Sequence, residues 1–369
     1  MSTQVSYKKQ IIVFLILFVL LLFAVEIGAR VIEYSGENQC EFIGKDAFKN
    51  VEIIKQNQIC EDNNSTMYEV DGILKYIPNQ NMETININSH GFRGHDFSEK
   101  KDLDTYRIFI VGGSTTFGSG ATSDDTTIPS FLQKKFEAIH SDQKIEILNA
   151  GIGSAYSYSE KYLIENYLIK FQPDLIIIYS GGNDANNRYG MEYTVPGISV
   201  SQLIPYVDTT DSVGLVKKFI KEINYRSPFV LMKIYKGMEQ NFTPSESTTN
   251  QVQELWTTRM GEICKTNNDV GIKTIILVQP MLGSGNKQLS TDEKTLLENY
   301  GAYMEDTLDI LNEIAGSLVE LENICHGTYD LRMIFDDVKE PLLFDHMHVT
   351  DLGNEIVAEE IYEILINQL

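Results

Sequence analysis

The chain has 369 residues, and 43% of them are hydrophobic, which is enough apolar material for a substantial folded core. Its formal net charge of −22 argues against the basic face that nucleic-acid binding requires, and against a basic patch for anionic lipids. We therefore expect no nucleic-acid partner and an acidic, solvated surface.

The first predicted element is an apolar segment near the N-terminus. Residues 11–25 are all apolar, and Glu26 is the one charge between residues 11 and 29. The apolar segment is longer than the apolar core of a typical secretory signal peptide and shorter than a typical membrane-spanning helix. Because Ile27 is a poor −3 residue for signal cleavage, we favour a transmembrane anchor at 11–29. The alternatives are a removed signal peptide and a buried helix of a soluble protein.

The charges beside this segment predict its orientation. Lys8 and Lys9 precede it, and Glu26 lies near its end. The positive-inside rule then keeps residues 1–10 in the cytoplasm and exports the rest of the chain. We expect a single-pass protein of the cell membrane with its main domain outside the cytoplasm.

Four cysteines are compatible with export. Two lie close together after the apolar segment and two lie in the C-terminal half, so we expect the pairs Cys40–Cys60 and Cys264–Cys325. Four unpaired thiols are the alternative. The sequence contains no CxxC pair, which argues against a zinc knuckle.

The remaining chain divides into an appendage and a main domain. Residues 30–105 are polar with short alternating runs, and they predict a linker and a small β appendage. From residue 106 to residue 369, buried strands and amphipathic helices alternate, which predicts an α/β fold with a parallel sheet. The strands are expected at 106–113, 144–151, 173–184 and 271–280, and the helices at 127–140, 159–171, 292–316 and 350–366. Residues 186–250 interrupt this alternation of strands and helices. They form either a cap insertion over a site or a surface segment without such a role.

The stretch "VGGSTTFGSG" after the first strand is glycine-rich, so it could bind phosphate or present a nucleophile. Gly113 and Gly118 have the spacing of a P-loop, but Ser119 stands where that motif has lysine. The G-x-G-x-x-G order of a dinucleotide site is absent. Thr116 replaces the last glycine of the G-x-S-x-G nucleophile elbow. None of these three motifs therefore fits.

A nucleophilic Ser114 needs a base, a group that orients the base, and oxyanion donors. Three later turns supply suitable side chains and backbone groups: "NAGIGS" after the second strand, "GGND" after the third, and "FDHMHVTDLG" before the last helix. Ligands of parallel α/β sheets bind beyond the carboxyl ends of the strands, where such turns meet.

The four stretches "GGSTTFG", "NAGIGS", "GGND" and "DHMH" resemble, in order, the sequence blocks of the SGNH hydrolases, also called the GDSL-like esterase/lipase family. The resemblance covers roughly residues 106–369. It implies a flavodoxin-like three-layer α/β/α sandwich with a central parallel sheet, here with an added N-terminal transmembrane helix. It also implies a serine esterase that needs no cofactor or metal.

Carried over by motif, the resemblance implies a Ser-His-Asp triad. Ser114 is the nucleophile, His348 the base and Asp345 the residue that orients His348. The implied oxyanion hole consists of the Ser114 N–H, the Asn183 amide and a backbone N–H of the glycine turn, either that of Gly153 or that of Ser154.

Two positions depart from the family pattern. Gly113 stands where the family often has aspartate, which removes a carboxylate but no member of the triad. Ser154 stands where many relatives have glycine five residues after the asparagine, and Gly153 precedes it. Because the donor is a backbone N–H, serine can serve there if its backbone conformation is permitted.

Several alternatives stay open on the sequence. Asp345, His346 and His348 could form a metal site, and Arg93 is either an anion contact or a clamp on the appendage. The function we expect is a membrane-anchored, outward-facing esterase acting on ester groups, such as O-acetyl groups, of a glycan or lipid. An O-acyltransferase of surface polysaccharide and a non-catalytic glycan-binding module are the alternatives. The sequence predicts no oligomeric state.

Overall fold

The computed structural model describes residues 6–37, 42–63, 67–70, 73–140, 144–186 and 246–366. The chain divides into two compact units, of which the first comprises Met1–Cys40 and Pro205–Thr243 and the second Glu41–Ile204 and Pro244–Leu369. Residues 187–245, which contain nearly all of the predicted cap insertion, lie outside the described residues.

In the first unit, the described residues form one helix, α1 (Tyr7–Glu37). The large apolar side chains from Ile11 to Leu21 are exposed along it. Among the residues that the structure describes, no helix has the combination of length and apolar character needed to cross a membrane. The predicted anchor at 11–29 is therefore not confirmed.

The second unit begins with the predicted appendage, which contains a helix that the sequence analysis did not predict, α2 (Ile53–Asp62). Two small antiparallel hairpins follow it. In the first, β1 (Met67–Val70) pairs with β2 (Ile73–Tyr76). In the second, β3 (Gln80–Asn81) pairs with β4 (Asn86–Ile87).

Among the described residues, the main sheet has five parallel strands in the order β6-β5-β7-β8-β9. They are β5 (Thr105–Gly112), β6 (Lys144–Gly151), β7 (Leu175–Ser180), β8 (Lys273–Val278) and β9 (Gly327–Asp330). With β5 taken as the first strand this is the order 2-1-3-4-5 of flavodoxin-like sheets, whose ligands bind where the strand order reverses, between β5 and β7. The predicted parallel α/β sheet is confirmed, and β9 is the strand that the sequence analysis missed.

Helices follow the strands of this sheet. Their bounds are α3 (Ser114–Phe117), α4 (Ile128–Ile139), α5 (Ser157–Leu163), α6 (Gly182–Asn186), α7 (Glu246–Asp269), α8 (Thr291–Tyr300), α9 (Ala302–Gly316), α10 (Leu318–Leu321) and α11 (Asp351–Ile366). Helix α4 packs against α11, whereas α7 packs against α5 and α9. Right-handed crossovers in opposite directions from β5 and β6 place α4 and α5 on opposite faces of the sheet.

Two predicted helices differ in detail from those observed. The single helix expected at 292–316 is two helices, because Gly301 has a φ of +49° and cannot continue an α-helix. The helix expected at 159–171 begins at Ser157 and passes through a π-turn and a 3₁₀ turn before it ends at Phe171.

The predicted bond between Cys264 and Cys325 is confirmed, and it links α7 to the segment before β9. Cys60 is also disulfide-bonded, whereas Cys40, its predicted partner, lies outside the described residues. Among the described part of the chain no cysteine is free, so the alternative of four unpaired thiols is wrong.

Candidate active site

Ser114 is the first residue of α3, directly beyond the carboxyl end of β5. A Cβ on Gly112 would lie 2.3 Å from the Tyr179 carbonyl oxygen, so the chain passes very close to β7 just before it turns into α3 at Ser114. The first N–H groups of a helix have no acceptor within it, so the Ser114 N–H is available to another group. The turn therefore exposes both the hydroxyl and the backbone N–H of Ser114 at the switch point of the sheet.

His348 lies in a compact loop that precedes α11. The loop is closed by a bridge between Leu343 and Val349 and by a hydrogen bond from the Thr350 N–H to the Leu342 carbonyl at 3.0 Å. One carboxylate oxygen of Asp345 accepts from the backbone N–H groups of Met347 (2.8 Å) and His348 (2.7 Å). The Asp345 carboxylate therefore also stabilises the backbone of the loop in which it lies.

Three side chains form a continuous hydrogen-bonded chain. Oγ of Ser114 lies 2.6 Å from Nε2 of His348, and Nδ1 of His348 lies 2.5 Å from Oδ2 of Asp345. Burial alone would raise the pKa of Asp345, but the adjacent His348 charge and hydrogen bonds outweigh it and hold that pKa at about 2. Asp345 is therefore ionised at neutral pH and contacts the His348 ring as a carboxylate.

An aromatic group that the sequence analysis missed supports the His348 ring. Phe344 stacks on it with centroids 5.8 Å apart and an interplanar angle of 13°. A Cβ on Gly120 would lie 2.4 Å from the Phe344 ring, so glycine leaves room for that ring. Phe42 and Phe48 of the appendage pack on Phe344 with centroids 5.3 and 5.2 Å away. No motif marks these residues in the sequence.

Asn183 lies beyond the carboxyl end of β7, in the first turn of α6. Its side-chain Nδ2 donates to the Ala155 carbonyl at 2.7 Å and lies beside Gly113, where a Cβ would come within 2.4 Å of it. The amide is thus held next to the residue that precedes Ser114, and its second hydrogen stays available to a further acceptor.

The glycine turn after β6 is closed by a hydrogen bond from the Ala155 N–H to the Ile152 carbonyl at 3.0 Å. The Gly153 N–H donates to the Tyr76 hydroxyl at 3.2 Å. Ser154 is exposed and has a φ of +62°. Ser154 thus adopts a left-handed conformation that serine tolerates at some cost, and of the two candidate donors Gly153 is the one already bound.

Arg93 is a clamp rather than an exposed anion contact. It is 3% exposed, and its guanidinium donates to the carbonyls of Gly118 (2.8 Å), Phe117 (3.2 Å) and Thr84 (2.8 Å). Its Nε lies 2.7 Å from an Asp124 carboxylate oxygen. The arginine fastens the appendage to the end of α3.

The alternative of a metal site at Asp345, His346 and His348 is not supported by the side-chain geometry. Both ring nitrogens of His348 are engaged by Ser114 and Asp345, and the His346 ring packs edge-on against Tyr300 with centroids 5.3 Å apart. Within the described ranges, no group of three or more histidine, cysteine or acidic side chains could hold a metal ion.

A second polar cluster is buried and includes Asp184, the residue after Asn183. Asp184 accepts from the Ser157 hydroxyl at 2.5 Å and from the Ser157 N–H at 3.1 Å, and the Ser180 hydroxyl donates to Glu160 at 2.7 Å. Arg259 donates to the Ser157 hydroxyl at 3.0 Å. Burial, and then the Asp184 charge, raise the pKa of Glu160 well above its usual value. The cluster joins the starts of α5 and α6.

Several solved structures resemble the chain over 70% of its length. One is an α/β hydrolase, LAE5, from the metagenome of Lake Arreo, with a TM-score of 0.42, 12% identity and 94% of its own chain covered. Another is the acetyl xylan esterase AlAXEase, with a TM-score of 0.41, 14% identity and 99% covered. A third is a protein of the G-D-S-L family from Desulfitobacterium hafniense DCB-2, with a TM-score of 0.38, 14% identity and 98% covered. No curated protein sequence matches the chain.

The sequence profile of the family described as GDSL-like Lipase/Acylhydrolase matches residues 108–361. The match begins within β5 and ends within α11, so it contains Ser114, Asn183, Asp345 and His348. The chain therefore belongs to the GDSL-like lipase/acylhydrolase family, also called the SGNH hydrolases, and is a serine ester hydrolase.

Proposed function

We propose that the chain is an esterase in which Ser114, His348 and Asp345 act as a catalytic triad. The observation that carries this proposal is the hydrogen-bonded chain from the Ser114 hydroxyl through His348 to Asp345. A nucleophile bonded to a base, with the base oriented by a carboxylate, is the arrangement that acyl transfer requires.

In the proposed reaction, Ser114 Oγ attacks the ester carbonyl carbon while Nε2 of His348 takes the hydroxyl proton. The negative charge of Asp345 stabilises the resulting imidazolium. Collapse of the tetrahedral intermediate breaks the bond to the alkoxide, which leaves as the alcohol with the proton from His348. A water molecule, deprotonated by His348, then releases the acid and restores Ser114.

The developing oxyanion needs donors that are already in position. We assign this role to the Ser114 N–H, the Asn183 side-chain amide and the N–H of Ser154. Two hydrogen bonds favour this set of donors. The Asn183 side chain donates to the Ala155 carbonyl, and the Gly153 N–H already donates to the Tyr76 hydroxyl. Gly153 then shapes the turn rather than donating to substrate.

We further propose that the enzyme is membrane-anchored and faces outward. Fifteen consecutive apolar residues at 11–25, with two lysines before them, support insertion with the N-terminus inside. The bond between Cys264 and Cys325 supports an oxidising compartment outside the cytoplasm. Such a location favours esters of a surface glycan, such as O-acetyl groups, or of a lipid.

The chemical test is acetate release from 4-nitrophenyl acetate and from an acetylated glycan by the purified full chain. Ser114→Ala should abolish release, whereas Ser119→Ala, a change in the same stretch, should not. Turnover that survives in Ser114→Ala would refute the triad. An added acceptor sugar separates hydrolysis from O-acyl transfer, because only transfer moves the acetyl group to that sugar.

The location is tested separately. A membrane-impermeant fluorophosphonate should label Ser114 in intact cells, and the label should sediment with the membrane fraction. Labelling that requires cell lysis would contradict the outward orientation, and label in the soluble fraction would contradict the anchor.

A further inference from the structure

Tyr76 stands out because it contacts the glycine turn from outside the family domain. It ends β2 of the appendage, 32 residues before the family match begins at residue 108. We propose that Tyr76 is a positioning residue that fixes the backbone of the glycine turn, so that the Ser154 N–H is the third oxyanion donor. This inference rests on the esterase function proposed above.

The phenol of Tyr76 binds the turn directly. Its oxygen accepts the Gly153 N–H at 3.2 Å, and the side chain is 4% exposed. The Tyr76 ring stacks on Phe117 of α3 with centroids 4.5 Å apart and an interplanar angle of 16°. One side chain therefore contacts both the helix that begins with Ser114 and the turn that carries the third donor.

The phenol stays protonated at every pH at which the enzyme would work. Burial raises the pKa of Tyr76 to about 12, although the Gly153 hydrogen bond and the Arg93 charge act in the opposite direction. The hydroxyl oxygen can therefore accept the Gly153 N–H as a neutral group across the physiological range.

Because the Gly153 N–H is bound to Tyr76, the Ser154 N–H is the backbone donor of the glycine turn that is left for the substrate. The turn spans Ile152–Ala155 and is closed by its own backbone hydrogen bond at 3.0 Å. No group among the described residues accepts the Ser154 N–H. With Gly153 bound on one side and the Ala155 carbonyl bound by Asn183 on the other, the Ser154 peptide between them is held in place.

The strand that carries Tyr76 is itself held against the main domain. A Cβ on Gly91 would lie 2.9 Å from the Tyr76 carbonyl oxygen, so the backbone approaches closely there. Arg93, two residues later, donates to the Gly118 carbonyl at the end of α3. The appendage therefore contacts α3 at two points, through the Tyr76 ring and through the Arg93 guanidinium.

The test is the Tyr76→Phe substitution in the purified full chain. It keeps the stack on Phe117 and deletes only the hydroxyl. Loss of a whole oxyanion donor costs about 10²–10³-fold in kcat, and a donor that is merely misplaced should cost about tenfold. We expect kcat to fall about tenfold with KM nearly unchanged. The pH profile should keep its shape, because His348 is untouched. The rate of fluorophosphonate labelling at Ser114 should fall by the same factor.

Tyr106→Phe is the matched control, because the buried Tyr106 hydroxyl has no hydrogen-bond partner among the residues that the structure describes. That change should leave kcat as in the wild type. Thermal unfolding of both variants identifies any loss of fold. Fluorophosphonate labelling well below both unfolding midpoints then measures the reactivity of Ser114 in the folded protein. Unchanged kcat and labelling in Tyr76→Phe would overturn the inference, as would an equal loss in Tyr106→Phe. If Ser114→Ala also kept full turnover, the proposed function itself would fail.

Discussion

A Cβ atom on Gly113 would lie 2.4 Å from Nδ2 of Asn183. Real Cβ atoms do not approach a neighbour so closely, so the residue before Ser114 has to be glycine while the Asn183 amide keeps its place. The same amide donates to the Ala155 carbonyl at 2.7 Å, and that oxygen would lie 3.3 Å from the added Cβ. With the Asn183 amide in this position, the space beside Gly113 does not admit a larger side chain.

The first prediction concerns this contact. Gly113→Asp should displace the Asn183 amide and lower kcat by about 10²-fold, which is the usual cost of an oxyanion donor. The measurement is ester hydrolysis, with thermal unfolding as the check on the fold.

Gly316→Ala provides the control for that substitution, since no described residue lies within 4 Å of the added Cβ at the end of α9. It should leave kcat unchanged and keep or slightly raise the melting temperature, because alanine is the better helix former. Full activity in Gly113→Asp would show that the Asn183 amide tolerates a neighbour or that it does not contribute.

The sequence predicted those parts of the structure that have strong local signals. Strand β6 has the predicted bounds, Lys144–Gly151, and the turns with Ser114 and Asn183 meet at one edge of the sheet because the parallel strands β5 and β7 both end there. The predicted helix at 292–316 failed at one residue, since a glycine within a helical pattern does not reveal its φ angle in advance.

The support around the site could not be predicted in the same way. Tyr76 lies 77 residues from Gly153 along the chain, and Phe48 contacts Phe344 across an even longer separation. Neither residue belongs to a motif, and their roles depend on how the appendage folds onto the domain. Such contacts follow from tertiary packing, on which local periodicity carries no information.

The second prediction follows from the depressed pKa of Asp345. That pKa is about 2 in the folded chain, against 3.8 for an unperturbed aspartate. The ionised carboxylate therefore contributes about 2 kcal/mol to the free energy of unfolding at neutral pH. This contribution is fully present above pH 4 and is lost as the pH falls towards 2.

Asp345→Asn should therefore be less stable than the wild type at pH 6, and the difference should shrink as the pH approaches 2. Urea unfolding of both proteins at pH 6, 4 and 3 measures this. A difference that stays constant with pH would mean that the ionised carboxylate is not the source of the stability. Hydrolysis should fall in the variant at every pH, because asparagine cannot stabilise the His348 imidazolium.

The third prediction uses the left-handed conformation of Ser154, which has a φ of +62°. Glycine adopts this conformation without the steric cost that serine bears, so Ser154→Gly should stabilise the fold by about 0.5–1 kcal/mol. Because the backbone N–H is retained, kcat should stay within a factor of about two.

Gln172→Gly is a matched control at a second left-handed position, with a φ of +56° after the 3₁₀ turn that ends at Phe171. It should give a similar gain in chemical unfolding without touching the site. A large loss of kcat in Ser154→Gly alone would assign a role to the serine hydroxyl rather than to the backbone.

The fourth prediction concerns the buried Glu160, whose side chain faces the Ser180 hydroxyl, Asp184 and Arg259. Within the described part of the chain, one of its carboxyl oxygens has no hydrogen-bond partner, and the residue is 1% exposed. Burial and the Asp184 charge raise the pKa of Glu160, so the folded chain keeps a proton there that the unfolded chain releases above pH 4.5. The stability of the wild type therefore decreases as the pH rises above that value.

Glu160→Gln removes this titration while it keeps the shape and an acceptor for Ser180. The variant should gain stability relative to the wild type between pH 5 and pH 8, measured by chemical unfolding at both values, whereas the exposed Glu320→Gln serves as the control. If the unfolding free energy of both variants changes with pH in the same way as that of the wild type, Glu160 is not held protonated. If Glu160→Gln instead loses both stability and hydrolysis, an ionised Glu160 is needed to hold α5 and α6, and with them Asn183, in place.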